Sequence, residues 1–185
     1  MATTAAMTGP PAAAAAIAGN RGASTDLEKA HAVEIFRQTW DVYTKVVERD
    51  YMSHVLLFDA LRADLLARHS GGSGEDGKKK FSIVDLGCGG ADALAAMLRR
   101  TPELAERTGA YTGVDLSDIA LAHARANMLG GPVSGFPDVR RAAPDEGVLS
   151  KDVDARFVEA DMVAFATDSM PEGSADVVLA AFALH

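Results

Sequence analysis

An apolar run that ends in a glycine turn constrains this chain more than any other feature of its sequence. Residues 81–86 are rich in branched and aromatic side chains, as is typical of a parallel strand covered on both faces. Gly87 and Gly89 follow where the backbone must turn sharply and approach a ligand, because glycine has no Cβ to obstruct either. Residues 91–100 then show the apolar spacing of a helix. The stretch predicts a strand, a glycine turn and a helix in succession; for this stretch alone, an ordinary tight turn is the alternative.

Three later segments extend this unit into an alternating pattern. Residues 111–115 form a second predicted strand that ends in Asp115, and residues 117–129 form a predicted helix. A third strand over 157–162 carries another acid near its end, and a fourth, strongly apolar strand covers 175–182. Alternating strands and helices predict a parallel sheet with right-handed crossovers. In such sheets ligands bind outside the carboxyl ends of the strands, where the glycine turn and both acids are expected.

These segments, in this order, resemble the motifs of class I S-adenosylmethionine-dependent methyltransferases. Residues 84–91 match the first motif of that family, with Ala91 at a position where the family has a third small residue, usually glycine. The resemblance covers residues 81–185 and implies an α/β fold, a Rossmann-like doubly wound parallel sheet with strand order 3-2-1-4. It also implies S-adenosyl-L-methionine as cofactor and methyl transfer to a small-molecule acceptor as the reaction.

The resemblance also assigns roles to individual residues. Asp115 is expected to accept hydrogen bonds from the ribose hydroxyls, Asp161 to accept one from the adenine amino group, and Met162 to pack on the ring. The full set of expected cofactor contacts is Asp85, Gly87, Cys88, Gly89, Asp115, Leu116, Asp161, Met162 and Ala180. Carboxylates suit these roles because they accept two hydrogen bonds from a diol better than any neutral group does. For either aspartate taken alone, helix capping is the alternative interpretation.

A dinucleotide-binding fold is the main alternative for the glycine turn. Such a fold prefers a third glycine three positions after Gly89, and this chain has Asp92 there. The negative charge of Asp92 would repel a pyrophosphate at the N-terminus of a helix. The sequence therefore argues against a dehydrogenase.

The composition restricts the partners and compartments. The chain has 185 residues, 48% of them hydrophobic, and a formal net charge of −8. An acidic chain is a poor partner for phosphate backbones, so no nucleic-acid partner is expected, and no apolar run reaches membrane-spanning length. Cys88 is the only cysteine, which excludes an intramolecular disulfide and favours a reducing compartment such as the cytoplasm. We expect no metal site.

The part of the chain before the glycine turn divides into three segments. Residues 1–23 are a low-complexity tail that we expect to be disordered, and its lack of acids is only weak support for organelle targeting. Residues 24–70 show helical periodicity, either as one long helix or as two helices broken near Asp50. Residues 71–80 are a glycine-rich linker. The resemblance implies that residues 81–185 form the cofactor-binding domain.

The helical segment is expected to form a lid over the cofactor, because methyltransferases of this class commonly place N-terminal helices there. Tyr43, Tyr51 and His54 are then candidate contacts with substrate or cofactor, and packing in the core against the sheet domain is the alternative for all three. For Trp40 we favour a packing role in the core.

No catalytic residue can be identified from the sequence. His185 stands where some methyltransferase families place a general base, and Cys88 has no recognisable base near it, so we assign the thiol no nucleophilic role. The family's sheet has seven strands, so the chain is expected to be the cofactor-binding part, truncated after the fourth strand. An apolar fourth strand at the sheet edge would favour self-association. The alternative function is a non-catalytic fragment or paralogue that keeps only cofactor binding or acts as a protein partner.

Overall fold

The structure is a computed structural model that describes residues 26–69, 80–133 and 146–181. Predictions that concern the N-terminal tail, the glycine-rich stretch before Lys80, and His185 lie outside these residues. The described elements, in chain order, are α1 (Asp26–Gln38), α2 (Trp40–Glu48), α3 (His54–His69), β1 (Phe81–Leu86), α4 (Asp92–Arg99), α5 (Pro102–Arg107), β2 (Thr108–Asp115), α6 (Asp118–Leu129), β3 (Asp154–Glu159), α7 (Met162–Ala164) with a π-helical turn after it (Phe165–Ser169), and β4 (Val177–Leu179).

The four strands form one parallel sheet in the order β3-β2-β1-β4, which confirms the predicted α/β, Rossmann-like arrangement and its strand order. In the central ladder Ser82 lies opposite Ala110 and Leu86 lies opposite Val114. The β1–β4 ladder is short and ends with Asp85 opposite Leu179. Because all strands run the same way, their carboxyl ends lie along one edge of the sheet, where Rossmann-like folds bind ligands.

Each face of the sheet is covered by apolar side chains. On one face Ile83 and Tyr111 pack with helices α3, α4, α5 and α6 in the main core. On the other face Val84, Leu86 and Val114 form a separate cluster that includes side chains from the region after β3. Successive residues of β1 therefore point to alternate faces, as strand geometry requires, and burial on both faces explains why β1 is almost continuously apolar.

Three strands differ from their predicted bounds. The second strand begins at Thr108 rather than at 111, and the third begins at Asp154 rather than at 157. The third strand ends at Glu159 rather than at 162, because Asp161 caps α7: its Oδ1 accepts hydrogen bonds from the N–H groups of Val163 (2.9 Å) and Ala164 (3.1 Å). The fourth strand covers Val177–Leu179 rather than 175–182. Just before this strand, the Asp176 side chain takes the place of a backbone acceptor in the sheet. The Ser82 N–H donates to Asp176 Oδ2 at 2.9 Å.

The N-terminal region contains three helices where the sequence predicted one or two. The first break is at Thr39, whose hydroxyl donates to the Ile35 carbonyl at 2.9 Å and so competes with helical hydrogen bonding. The second break lies near Asp50, as predicted, where Asp50 and Ser53 have φ angles of 54° and 56°. Left-handed backbone at two non-glycine residues ends α2 firmly before α3 begins.

Helices α1 and α2 pack beside the carboxyl edge of the sheet. Trp40 is buried against Ile119 and Ala120 of α6, which confirms its predicted packing role. Arg37 Nη2 lies 2.7 Å from Asp118 Oδ2 at the start of the same helix. No helix in the described part of the chain is long and apolar enough to cross a lipid bilayer.

Candidate functional site

The glycine turn after β1 is anchored to the end of the neighbouring strand. The backbone N–H groups of Gly87 and Cys88 both donate to the Val114 carbonyl, at 2.8 and 3.0 Å. Gly87 and Gly89 have φ angles of +67° and +53°, a region that glycine enters without steric penalty. Ala91 has φ +54° at the start of α4, so the non-glycine residue in the third small position holds a left-handed conformation.

Asp115 joins the glycine turn to the end of β2. Its Oδ2 accepts a 2.9 Å hydrogen bond from the Gly89 N–H, and its Oδ1 accepts one of 2.9 Å from the Ser117 N–H. The helix cap of α6 is Ser117, whose hydroxyl accepts from the Ala120 N–H at 3.3 Å. Asp115 is therefore not needed as the cap, and its half-buried carboxylate faces the turn.

Asp161 follows β3 at the same edge, where the Ala160 N–H donates to the Asp115 carbonyl at 3.1 Å. Besides capping α7, its Oδ2 lies 3.3 Å from Nζ of Lys29 on α1. The hydrogen bond from the Ala164 N–H, aided by Lys29, lowers the pKa of Asp161. The capping interpretation of this residue is thus realised in the structure. The neighbouring Met162 packs against the cluster on the second face of the sheet.

Asp85 forms a buried polar group with two neighbours below the glycine turn. Burial raises the pKa of Asp85 to about 7, and the Tyr111 hydroxyl lies 3.5 Å from its Oδ2. Burial also raises the pKa of the Cys88 thiol, which disfavours the thiolate that a nucleophile requires. Gly113 makes this arrangement possible, because a Cβ there would lie 2.8 Å from the Tyr111 hydroxyl and 3.1 Å from Cys88 Sγ. Sequence reasoning did not single out Tyr111 or Gly113.

Asp92 is held at the first turn of α4 by a residue that the sequence analysis missed. Asn127 of α6 donates from Nδ2 to Asp92 Oδ1 and to the Gly90 carbonyl, both at 2.8 Å. Burial raises the pKa of Asp92. The amide bridge fixes this carboxyl group beside the helix N-terminus, where a pyrophosphate would need to bind.

Tyr43 of α2 lies directly over the glycine turn. A Cβ built on Gly89 would be 2.7 Å from the Tyr43 hydroxyl, so the absence of a side chain at Gly89 admits the ring. Burial raises the pKa of Tyr43 far above its ordinary value. Tyr43 and His54 both line a small cavity of about 40 Å³ beside Asp85 and Gly87.

Of the remaining residues predicted to contact cofactor or substrate, some lie near this cavity and others do not. Tyr51 is 68% exposed and does not line the cavity, in contrast to Tyr43 and His54. Ala180 follows Leu179, the ladder partner of Asp85, and so lies at the carboxyl end of β4. Leu116 is half-buried directly after Asp115. The structure thus brings together Asp85, Gly87, Cys88, Gly89 and Asp115, whereas the Asp161 carboxylate is engaged with α1 and α7.

Comparisons with family models, curated proteins and solved structures returned no match to this chain. Among the residues that the structure describes, no group of three or more histidine, cysteine or acidic side chains is placed to hold a metal ion. The function is therefore argued from the geometry of the glycine turn and its neighbouring acids.

Proposed function

We propose that this chain binds S-adenosylmethionine at the carboxyl edge of its sheet and transfers the cofactor's methyl group to a small-molecule acceptor. The observation that carries the proposal is the position of the Asp115 carboxylate, 2.9 Å from the Gly89 N–H. It unites an acid at the end of β2 with a glycine turn after β1. An adenosyl ligand needs this pair, because its ribose diol requires a strong double acceptor beside a backbone that it can approach closely.

The charge of the site supports an adenosyl sulfonium over a dinucleotide. Asp92 and Asp115 lie in or beside the glycine turn, and Asp92 also lines the small cavity there. Carboxyl groups favour a ligand that carries positive charge and disfavour a pyrophosphate. When bound, S-adenosylmethionine would supply an electrophilic methyl group on a positively charged sulfur. The chain's own contribution would be to orient the ribose through Asp115 and to exclude water, which can account for much of methyl-transfer catalysis.

One observation favours a non-catalytic role as the second candidate. The pocket beside the turn has a volume of about 40 Å³, and Tyr43 lies over Gly89. Because the Tyr43 hydroxyl lies over Gly89, an adenosyl ligand held by Asp115 would need Tyr43 to move aside. A chain in which Tyr43 always stays over Gly89 would serve as a binding partner and not as an enzyme.

Calorimetric titration with S-adenosylhomocysteine tests the proposal directly. We expect the parent chain to bind it and Asp115→Ala to bind it at least tenfold more weakly, because a hydrogen bond to a charged group contributes about 1.5–3 kcal/mol. Asp154→Ala is the matched control, since Asp154 begins the adjacent strand and lies at the opposite edge of the sheet. Tighter binding of NAD than of S-adenosylhomocysteine, or equal binding by both aspartate variants, would contradict the proposal.

A further inference from the structure

A second, larger cavity lies between helices α2, α3 and α4. Its volume is about 200 Å³. Its apolar walls come from all three helices and consist of Val47, Val55, Phe58, Ala93 and Ala96. Since an apolar cavity of about 150 Å³ holds a benzene molecule, this space is large enough for one aromatic ring and a short side chain.

The larger cavity adjoins the pocket beside the glycine turn. Both cavities are lined by Val47, His54, Phe58, Asp92 and Ala93. His54 is 7% exposed and separates the two spaces together with its neighbours. A molecule held in the larger cavity is therefore next to the turn at which the proposed function places the cofactor.

The polar groups of the larger cavity carry a negative balance. Glu48, Asp50 and Asp92 contribute three carboxyl groups, and Arg100 contributes one guanidinium. Asp59, which does not line the cavity, partly neutralises the positive charge of Arg100, since Asp59 Oδ1 lies 3.6 Å from Arg100 Nη2. An apolar space with acids around it favours a ligand that has an apolar body and a cationic end.

We propose that this cavity binds a small organic amine, with an apolar body the size of one aromatic ring and a single positive charge. This inference rests on the proposed function to the extent that it identifies the amine as the methyl acceptor. The volume sets the size of the ligand, the apolar walls set the nature of its body, and the carboxyl groups set the sign of its charge. The shared wall with the glycine-turn pocket places the ligand beside the reaction centre.

The test uses three probes of nearly equal shape, titrated into the full chain with and without S-adenosylhomocysteine. They are 2-phenylethylamine, 2-phenylethanol and 3-phenylpropanoate, which differ mainly in charge. We expect the amine to bind at least tenfold more tightly than the alcohol, and the carboxylate to show no saturable binding. Equal affinities for amine and carboxylate, or no binding of the amine, would overturn the proposal.

Two variants locate the amine in this cavity. Ala96→Leu fills the space from an exposed position of α4 and should abolish amine binding, while Ala67→Leu, at an exposed position of α3 outside the lining, should leave it unchanged. Glu48→Gln should weaken amine binding at least fivefold, with Glu103→Gln on α5 as the control of equal charge change. Unchanged amine binding in Ala96→Leu would place the amine elsewhere and refute the assignment.

The two proposals fail separately in this experiment. Binding of S-adenosylhomocysteine without binding of 2-phenylethylamine removes the acceptor site and leaves the cofactor site standing. Binding of the amine without S-adenosylhomocysteine removes the methyltransferase assignment and keeps a site for organic cations. Ala96→Leu should retain the affinity of the parent chain for S-adenosylhomocysteine, because Ala96 does not line the pocket beside the turn.

Discussion

The Asp115 carboxylate and the Gly89 N–H lie 2.9 Å apart, although they belong to different strand ends. The contact forms because β1 and β2 are parallel neighbours, so that their carboxyl ends meet at one edge. Asp115 also accepts a hydrogen bond from the Ser117 N–H. One side chain therefore stabilises both the glycine turn and the start of α6. Any substitution of Asp115 needs a measurement of unfolding free energy beside the binding measurement.

Gly89→Ala should destabilise the fold strongly. We expect a larger loss than for the same substitution at a glycine that also has a positive φ but has free space around it. At Gly89 the new methyl group meets both an unfavourable φ of +53° and the Tyr43 hydroxyl at 2.7 Å. Left-handed backbone alone costs about 1–2 kcal/mol for a residue with a Cβ, and the contact adds to it. Urea unfolding monitored by circular dichroism measures the total.

Gly173→Ala is the control for this substitution, because Gly173 has φ +71° and no atom within 4 Å of the built Cβ. The excess destabilisation of Gly89→Ala over Gly173→Ala isolates the contact with Tyr43, and Tyr43→Phe in the Gly89→Ala background should reduce that excess. Equal destabilisation by the two glycine variants would show that Tyr43 does not lie over the turn.

Asp85 should make the fold less stable as the pH rises towards neutral. Burial raises the pKa of Asp85 in the folded chain from 3.8 to about 7. The folded state therefore keeps a proton that the unfolded state loses. The stability from this proton is fully present below pH 3.8 and is lost as the pH rises to about 7, with a slope of at most about 1.4 kcal/mol per pH unit.

Asp85→Asn removes this titration while keeping the shape of the side chain. From pH 4 to pH 7.5 the variant should gain roughly 2–4 kcal/mol relative to the parent, as measured by urea unfolding at several pH values. Asp154→Asn, at an exposed position, should follow the parent. Parallel pH profiles for the parent and Asp85→Asn would mean that Asp85 is ionised in the folded protein.

The sheet and its glycine turn could be predicted because their signals are local. Branched apolar residues in β1 and the glycines after it determine a strand and a turn within a few positions. The strand order followed from the resemblance of four segments in sequence. The bounds of β4 could not be predicted, because Asp176 and Ser82 replace a ladder hydrogen bond with side-chain bonds.

The site was only partly predictable for a different reason. A strand-end acid and a helix cap use the same residue type, so the sequence could not tell which role Asp161 has. The position of Tyr43 over Gly89 depends on how α2 packs against the sheet, which no local pattern encodes. Gly113 looks like an ordinary strand residue until Tyr111 and Cys88 are seen to occupy the space beside it.

Substitutions of Asp161 should separate its capping role from its charge. Asp161→Asn keeps an oxygen that can accept from the Val163 and Ala164 N–H groups, so we expect unfolding free energy within about 0.5 kcal/mol of the parent. Asp161→Ala loses the cap and should cost about 1 kcal/mol. If Asp161 also contacts adenine, both variants weaken binding of S-adenosylhomocysteine, the alanine variant more. Parent-like binding by both variants would leave Asp161 as a cap alone.

The ion pairs of α1 should control how firmly this helix holds to the sheet edge. Lys29 pairs with Asp161 at 3.3 Å and Arg37 pairs with Asp118 at 2.7 Å. Both pairs are partly exposed, so we expect Lys29→Gln with Arg37→Gln to leave global stability nearly unchanged. Deuterium uptake in residues 26–38 should nevertheless increase, while β1 is unchanged. Arg68→Gln, which removes a pair within α3, is the control, and unchanged uptake in α1 would show that packing alone holds the helix.

Trp40 should report whether the glycine turn opens for a ligand. It is the only tryptophan of the chain and is 4% exposed, with its ring 5.3 Å from Tyr43. Since the Tyr43 hydroxyl lies over Gly89, we expect an adenosyl ligand at the turn to displace Tyr43 and with it α2. Saturation with S-adenosylhomocysteine should therefore shift Trp40 emission to longer wavelength as water reaches the ring.

Two comparisons make this fluorescence result specific. Tyr43→Ala should show part of the shift without any ligand, because Trp40 loses a packing partner, whereas Tyr51→Ala at an exposed position should not. Asp115→Ala should need at least tenfold more ligand to reach the same shift, in line with its weaker binding. Heat of binding without a change in emission would mean that the ligand reaches the sheet edge while α2 stays in place, and the requirement for Tyr43 to move would be wrong.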